Sequence, residues 1–237
     1  MQIDFAMSQV DVWPEHVKLY NSGSFFDAAA IPPGDYPAIA QSVAFAEHVV
    51  VESHPRLVGE KALRFRDLLS GSLEVAMGLE TAHPSVFPRL NKRFTLSDFS
   101  NAAAYLRAAE IAVRAFILVN PPFMNEEEGI EWAGKSAAFA FDCGATVVSL
   151  IPTRTGNGAM DKLVESGEFI PPRLSTLEKA QEQALKLKGG RVFADTWDLE
   201  KFSRCPDCLE RRRQRLHIVN LTQQLEPRIE CPVCGGE

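Results

Sequence analysis

Six stretches of the sequence are rich in β-branched and apolar residues, and helical patterns fill the gaps between them. The runs cover residues 16–20, 48–52, 73–80, 113–119, 146–152 and 191–197. Near-continuous hydrophobicity is typical of strands that are covered on both faces, as in parallel sheets. Strands that alternate with helices therefore predict an α/β fold with a parallel sheet, either open or closed into a barrel.

Capping residues predict the starts of three helices between these runs. Thr95 and Asp98 have the spacing of a capping box, and Asn125 precedes three glutamates that suit the positive end of a helix dipole. Ser175 and Glu178 repeat the capping pattern, so we expect a third helix to begin there.

The residues that follow each predicted strand are polar, whereas the segment that precedes each strand is short and has no distinctive polar pattern. In parallel barrels and open α/β sheets, ligands bind at the carboxyl ends of the strands. Five polar exits in succession therefore predict one shared site, and they favour a barrel or partial barrel over a doubly wound sheet. The predicted residues of this site are Ser22, Ser24, Glu52, His54, Glu80, Thr81, Asn120 and Arg154.

Glu52 and Glu80 each follow an apolar run directly, which leaves two interpretations open. A carboxylate at a strand exit could bind a ribose hydroxyl or an amino group of a ligand. It could instead form an ion pair with Arg56, Lys92 or Arg93. No dinucleotide-binding fingerprint and no phosphate P-loop is present in the sequence to decide between them.

Four of the five cysteines form two Cys-Pro-x-Cys pairs near the C-terminus: Cys205, Cys208, Cys231 and Cys234. Two such pairs predict a tetrahedral Zn²⁺ site, with an iron–sulfur cluster or free thiols as the alternatives. Paired cysteines of this kind indicate metal binding in a reducing compartment, so we expect a cytoplasmic protein. The predicted domains are a barrel of residues 1–200 and a zinc-ribbon module of residues 201–237.

The net charge of −6 gives no reason to expect nucleic-acid affinity over the whole surface. Between the cysteine pairs, however, lies a basic cluster of Arg211, Arg212, Arg213 and Arg215. These arginines form either a solvated helix face or a set of phosphate contacts with RNA. No apolar run approaches the ~20 residues of a membrane span, and the N-terminus lacks the pattern of a signal peptide, so we expect no membrane association.

The order of the strand exits resembles that of one group of radical S-adenosylmethionine (SAM) enzymes, the group of the Elongator catalytic subunit and the archaeosine-type proteins. The matching stretches are KLYNSGSFFD, VVVESHPRLVGEKALRF, LEVAMGLETAHPSVFPRLNKRFTLSDF, AFILVNPPFMNEEEGIEWA and VVSLIPTRTGNGAM. The resemblance covers roughly residues 15–180. It implies a partial (β/α) TIM-like barrel in which a 4Fe–4S cluster binds SAM and cleaves it to a 5′-deoxyadenosyl radical.

The same resemblance implies SAM contacts at the strand exits. Ser22, Gly23 and Ser24 match the turn that receives the amino end of SAM, and Glu52 stands at the end of the group's third strand. The other matches are Glu80 and Thr81 near the ribose, Asn120 at the fifth exit and Ile151 beside the adenine.

The group's defining CxxxCxxC loop is absent, since no cysteine precedes Cys143. We therefore expect a truncated radical SAM core that lacks the first barrel strand and the cluster ligands, and that is inactive alone. The full-length form is expected to modify tRNA or another nucleic acid and to need an electron donor. The rival hypotheses are a non-catalytic zinc-ribbon adaptor with a degenerate barrel and a barrel enzyme that acts on sugar phosphates.

Overall fold

The computed structural model describes residues 2–21 and 23–236, which contain a six-stranded sheet with helices between its strands. The strands are β1 (His16–Leu19), β2 (His48–Glu52), β3 (Ser72–Glu80), β4 (Ala112–Val119), β5 (Val147–Pro152) and β6 (Arg191–Ala194). The helices are α1 (Gln2–Met7), α2 (Tyr36–Ser42), α3 (Glu60–Arg66), α4 (Leu96–Ala108), α5 (Glu126–Asp142), α6 (Ala159–Glu165), α7 (Leu174–Lys186) and α8 (Pro206–Thr222). All six predicted strands are present.

The strands follow one another across the sheet in chain order, from β1 to β6. The pairs β1–β2, β2–β3 and β5–β6 are parallel, with His16 opposite His48 and Val147 opposite Arg191. Crossovers between parallel strands are right-handed in nearly all proteins, so consecutive crossovers place their helices on the same face of a sheet. A doubly wound sheet would reverse its strand order, and the described strands do not. The predicted α/β class is confirmed.

Contacts divide the chain into two compact units, which are described separately. Unit 1 comprises residues 1–78 and 94–114, and unit 2 comprises residues 79–93 and 115–237. The boundary predicted near residue 200 stays a prediction. Among the described residues, no helix combines the length and the apolar character that a bilayer crossing requires.

Unit 1 has an aromatic core. Phe25, Phe26, Tyr36 and Phe65 are buried, and the ring centroids of Phe25 and Phe65 lie 4.6 Å apart. Aromatic side chains contribute large apolar areas, so this cluster anchors the loop after β1 to the helices of the unit. The loop that carries the predicted polar corner is therefore packed through buried aromatic side chains.

Two of the three predicted helix starts are confirmed. Thr95 and Asn125 each accept a hydrogen bond from a backbone N–H three residues later, and both capping boxes are complete. The third start is wrong by two residues, because the N-cap residue of α7 lies two positions before Ser175. The backbone N–H of Arg173 donates to the Thr176 hydroxyl over 3.0 Å, which makes Arg173 the N-cap residue.

In unit 2, the outer edge of β6 is covered by side-chain amides of α8 and its C-cap. Asn220 donates to the Ala194 carbonyl and accepts from the Ala194 N–H, both over 2.9 Å. Gln223 makes the same two bonds with Val192, over 3.2 and 2.6 Å. These amides occupy the backbone groups that a further strand would pair, which protects the edge against pairing with another chain.

A network of buried charges joins α8 to α7. Arg212, which is 1% exposed, donates to Glu178 over 2.6 Å. Arg215 lies 3.5 Å from Glu178 and 2.9 Å from Glu182, and it also donates to two backbone carbonyls. Arg228 contacts Glu182 as well, and this hydrogen bond lowers the pKa of Glu182. The side chains of Glu178 and Glu182 therefore hold the tail helix in place.

We expect Arg212→Met to lower the free energy of unfolding by about 3–5 kcal/mol, because it removes the hydrogen-bonded partner of buried Glu178 and leaves this carboxylate only the longer contact with Arg215. Urea denaturation at neutral pH measures this loss. Arg213→Met is the matched control on the same helix. Arg213 forms surface ion pairs with Glu200 and Glu210, so its replacement should cost less than about 1 kcal/mol. Equal losses in the two variants would contradict the structural role of Arg212.

Candidate functional site

In unit 1, hydrogen bonds hold the loops after β1 and β2 together. Ser24 Oγ accepts from the backbone N–H of His54 over 2.9 Å. The Glu52 carbonyl accepts from the N–H of the residue after Ser24 over 2.7 Å. The predicted site residues Gly23, Ser24 and Glu52 therefore lie in one corner. Ser22, which is predicted to belong to the same corner, lies outside the described residues.

Tyr20 lies at the end of β1, within the electrostatic influence of three charged side chains. Partial burial raises the pKa of Tyr20 to about 12, Arg114 lowers it, and Glu74 and Glu52 raise it. Arg114 is itself paired with Glu74. The phenol of Tyr20 is therefore neutral at physiological pH and can donate a hydrogen bond.

Unit 2 contains a cleft of about 460 Å³ at the carboxyl ends of β4 and β5. Its apolar lining consists of Leu90, Leu118, Pro122, Phe123, Ile151, Pro152, Ala159, Met160 and Leu163. Its cations are Arg89, Lys92 and Arg154. A mostly apolar concave site with a few polar groups is typical of a small-molecule site. Of the predicted SAM contacts, Ile151 lines this cleft.

Each cation of the cleft has a carboxylate partner. The pairs are Lys92–Glu80 at 2.9 Å, Arg89–Glu168 at 3.0 Å and Arg154–Asp195 at 2.9 Å. The ion-pair interpretation of Glu80 is therefore the one that the structure shows. Because the cations are offset, the cleft suits a neutral or zwitterionic ligand better than a free phosphate, which weighs against the sugar-phosphate hypothesis.

Thr81 and Asn120 are both 1% exposed and hold loops in position. Thr81 Oγ1 accepts from the N–H of His83 over 3.2 Å. Asn120 has a φ of 53° and donates through Nδ2 to the Ile170 carbonyl over 2.7 Å. A Cβ atom at Gly129 would overlap the Asn120 side chain, so α5 packs here only with glycine at that position. Direct contact of Thr81 or Asn120 with a ligand stays a prediction.

The loop after β5 contributes to the cleft, although no motif in the sequence assigns it a role. Gly156 and Gly158 have φ values of 93° and 71°, and both donate backbone N–H bonds to Asp161 over 2.9 Å. These two bonds lower the pKa of Asp161. The loop then enters α6 and supplies Asn157 and Met160 to the cleft. The signal in the sequence is Gly-x-Gly followed by an aspartate three residues later.

The four C-terminal cysteines lie together in unit 2. Cys205 Sγ is 3.8 Å from Cys231 Sγ, and Cys208 Sγ is 3.7 Å from Cys234 Sγ. All four sulfur atoms lie within 4.8 Å of one another. In a tetrahedral site with metal–sulfur bonds of about 2.3 Å, neighbouring sulfurs are about 3.8 Å apart. The cluster therefore has the spacing of a site for one metal ion.

Backbone N–H groups point at one thiol of each cysteine pair. Cys231 accepts from Val233 and Cys234, and these bonds lower its pKa to about 7. Cys205 accepts the equivalent two bonds, but burial is the larger effect and raises its pKa. Hydrogen bonds of this kind stabilise thiolates, the form of cysteine that binds metal.

The arginine cluster divides between the interior and the surface. Arg212 and Arg215 are 1% and 4% exposed, and both belong to the network with α7. Arg213 reaches the surface, and Arg211 is exposed and donates to the Glu230 carbonyl over 3.3 Å. Arg212 and Arg215 are therefore occupied within the fold, and nucleic-acid contact by the cluster stays a prediction.

Two curated archaeal proteins are similar to the chain in sequence. It is 28% identical over 191 residues to archaeosine synthase subunit beta of Methanosarcina acetivorans. It is 30% identical over 189 residues to the protein of the same name from Thermococcus kodakarensis. Each alignment covers 77% of this chain, and the two cover 55% and 58% of the respective relatives. The chain thus spans just over half the length of these relatives. No family model matches the sequence.

A solved structure has the same fold. Elp3 of Methanocaldococcus infernus with an N-terminal deletion matches with a TM-score of 0.69, at 13% identity, over 95% of this chain and 58% of that one. With the strand order, this match confirms the predicted partial (β/α) barrel. The chain thus has the fold of this Elp3 protein. Two of its relatives in sequence carry the name archaeosine synthase subunit beta, in agreement with the resemblance seen in the order of the strand exits.

We expect Cys208→Ser to lose about one bound metal ion per chain, because three thiolates hold a tetrahedral ion much less tightly than four. Elemental analysis of purified protein measures the loss. Cys143→Ser is the matched control, because Cys143 caps the end of α5 and is not a member of the cluster. Full metal content in Cys208→Ser protein would show that the cysteine cluster is not a metal site.

Proposed function

We propose that this chain is the SAM-binding core of a radical SAM protein that acts in tRNA modification. The observation that carries the proposal is the cleft of unit 2 at the ends of β4 and β5. The family resemblance predicts the adenine of SAM beside Ile151, and Ile151 lines this cleft. Apolar side chains suit the faces of an adenine ring. Because carboxylates neutralise the cations of the cleft, these cations do not repel SAM, whose sulfonium and ammonium groups outweigh its one carboxylate.

The other predicted SAM contacts have roles in this proposal that agree with their surroundings. For Ser24 and Glu52, in the corner of unit 1, contact with the amino end of SAM stays a prediction from the family resemblance. Glu80, which is paired with Lys92, would accept from a ribose hydroxyl. Thr81 and Asn120 would position the loops that carry the contacts rather than touch SAM, because both are buried.

The residues of this chain do not fit a 4Fe–4S cluster at the barrel. Cys143 is the one cysteine outside the tail, and the 237 residues contain no CxxxCxxC pattern. Reductive cleavage of SAM therefore requires cluster ligands and an electron donor from outside this sequence. We propose that the chain by itself binds SAM and does not cleave it.

For the metal of the tail we propose Zn²⁺. The sulfur spacing of 3.7 to 3.8 Å fits four bonds to one ion. In a 4Fe–4S cluster each thiolate binds a different iron atom, so the four cysteine sulfurs would have to stand further apart. Free cysteines in this arrangement also favour a reducing compartment, which supports a cytoplasmic protein.

The tRNA part of the proposal rests on the relatives and on the family resemblance. Both curated relatives carry the name archaeosine synthase subunit beta, and the word subunit favours a partner chain as well. Of the predicted arginines, Arg211 and Arg213 reach the surface and are the ones that we propose for phosphate contact.

Titration calorimetry with SAM tests the proposal. We expect the chain to bind SAM, and Ile151→Trp to weaken binding by at least about tenfold, because the indole ring fills the cleft. Val164→Trp is the matched control, because Val164 is 40% exposed on α6 and does not line the cleft. Thermal unfolding of both variants checks that each is folded.

Absence of SAM binding to the unaltered chain would favour the non-catalytic zinc-ribbon adaptor. Unchanged binding by the folded Ile151→Trp protein would show that SAM binds elsewhere.

A further inference from the structure

Trp197 follows β6, and its side chain is exposed to solvent, at 79%. The chain contains three tryptophans, and the other two have aromatic partners. The ring of Trp13 packs against Phe45, with centroids 4.4 Å apart, and that of Trp132 packs against His83 at 4.3 Å. Within the part of the chain that the structure describes, no ring or cation stacks on the indole of Trp197. Tryptophan is highly buried on average, so an indole this exposed calls for a functional explanation.

The backbone of Trp197 is fixed although its side chain is exposed. Its N–H donates to Asp195 Oδ1 over 3.0 Å, and its carbonyl accepts from the guanidinium of Arg154 over 2.8 Å. Arg154 also donates to Asp195 Oδ2 over 2.9 Å, so the three residues form one connected set. An ordered backbone reduces the entropy that is lost when the ring binds a ligand. The indole is therefore held ready for contact.

This indole lies beside the cleft of unit 2. Arg154, which holds the Trp197 carbonyl, lines the cleft at the carboxyl ends of β4 and β5. Strand β6 is parallel to β5, with Ala194 opposite Leu150, and the N–H of Asp195 donates to the Leu150 carbonyl over 2.8 Å. The chain thus leaves β6 at the edge of the sheet where the cleft lies. A large substrate that reaches the cleft can contact Trp197 as well.

The surroundings of the indole favour a planar ring over a broad apolar partner. The nearby apolar side chains of Leu199 and Phe202 are buried, and Asp198 and Lys201 form an ion pair of 2.7 Å. Protein-binding patches are contiguous apolar areas of several hundred Å², and one indole among charged side chains is not such a patch. Nucleobases of every kind stack on aromatic side chains, and unpaired RNA bases are bound in this way. Because cations pair with Asp195 and Asp198, neither presents an unpaired negative charge to the phosphates.

We propose that Trp197 is a stacking contact for an unpaired nucleobase of the RNA substrate, next to the cleft. The inference rests on the proposed function, because RNA is the substrate class proposed there. It adds a contact that is independent of Arg211 and Arg213, since stacking on an indole does not require a phosphate.

Fluorescence anisotropy tests the contact, with the metal-loaded full chain and a labelled single-stranded oligoribonucleotide. We expect Trp197→Ala to weaken binding by at least about fivefold, because it removes one base–aromatic stack. The slope of log K against log salt should stay unchanged, since no phosphate contact is lost. An oligomer of the same length with abasic riboses keeps the phosphates but cannot stack. It should bind the unaltered chain and Trp197→Ala with equal affinity, within about twofold.

Two further variants distinguish stacking from a general apolar contact. Trp197→Phe keeps an aromatic face and should retain more affinity than Trp197→Ala, whereas Trp197→Leu, which has no such face, should bind as weakly as Trp197→Ala. Trp13→Ala is the matched control, because it removes an indole that is 61% exposed in unit 1. It should leave the affinity for RNA within about twofold. Thermal unfolding checks that every variant is folded.

Unchanged RNA affinity in Trp197→Ala, full affinity in Trp197→Leu, or no RNA binding by the unaltered chain would overturn the stacking contact. If Trp197→Ala instead abolishes self-association in sedimentation and leaves RNA affinity unchanged, the indole is a protein contact and the proposal is wrong. Calorimetric SAM binding is measured separately and should be the same in Trp197→Ala, because Trp197 does not line the cleft. Trp197-dependent RNA binding by a chain that does not bind SAM would contradict the proposed function alone.

Discussion

The pairing of Asn220 and Gln223 with the backbone of β6 is the interaction on which the tail of unit 2 depends. A sheet that does not close into a barrel has an exposed edge strand, and such an edge pairs readily with other chains. Here the two amides bind Val192 and Ala194, the residues whose backbone groups point away from β5. The helix that carries Cys208 near its start is therefore fixed to the sheet near its other end.

The arginine cluster shows why composition alone does not locate a nucleic-acid surface. Four arginines in five residues are typical of a basic patch, but a helix distributes them over different faces. Arg212 and Arg215 are three residues apart and share the face that packs on α7. On α7, Glu178 and Glu182 are four residues apart, and they form ion pairs with Arg212 and Arg215, respectively. Which face lies inward depends on residues about thirty positions earlier, and no local pattern contains that information.

The contrast between local patterns and contacts with distant residues also separates the fold from the cleft. All six strands could be predicted, because hydrophobic runs and polar exits are local features of the sequence. Ile151 could be placed at a ligand site only through the family resemblance. Arg89 could not be predicted, since its role comes from distant partners: its guanidinium lies 3.4 Å from the ring centroid of Phe123, and it is paired with Glu168.

Three kinds of interaction hold residues 205–234 against the rest of unit 2, and each acts on a different part of this segment. A segment this short buries too little apolar surface to order itself. The amides fix the end of α8, the pairing of Arg228 with Glu182 fixes the chain that follows, and the thiolates of Cys231 and Cys234 approach the start of α8. Because these contacts involve separate residues, the segment is held at three points along its length.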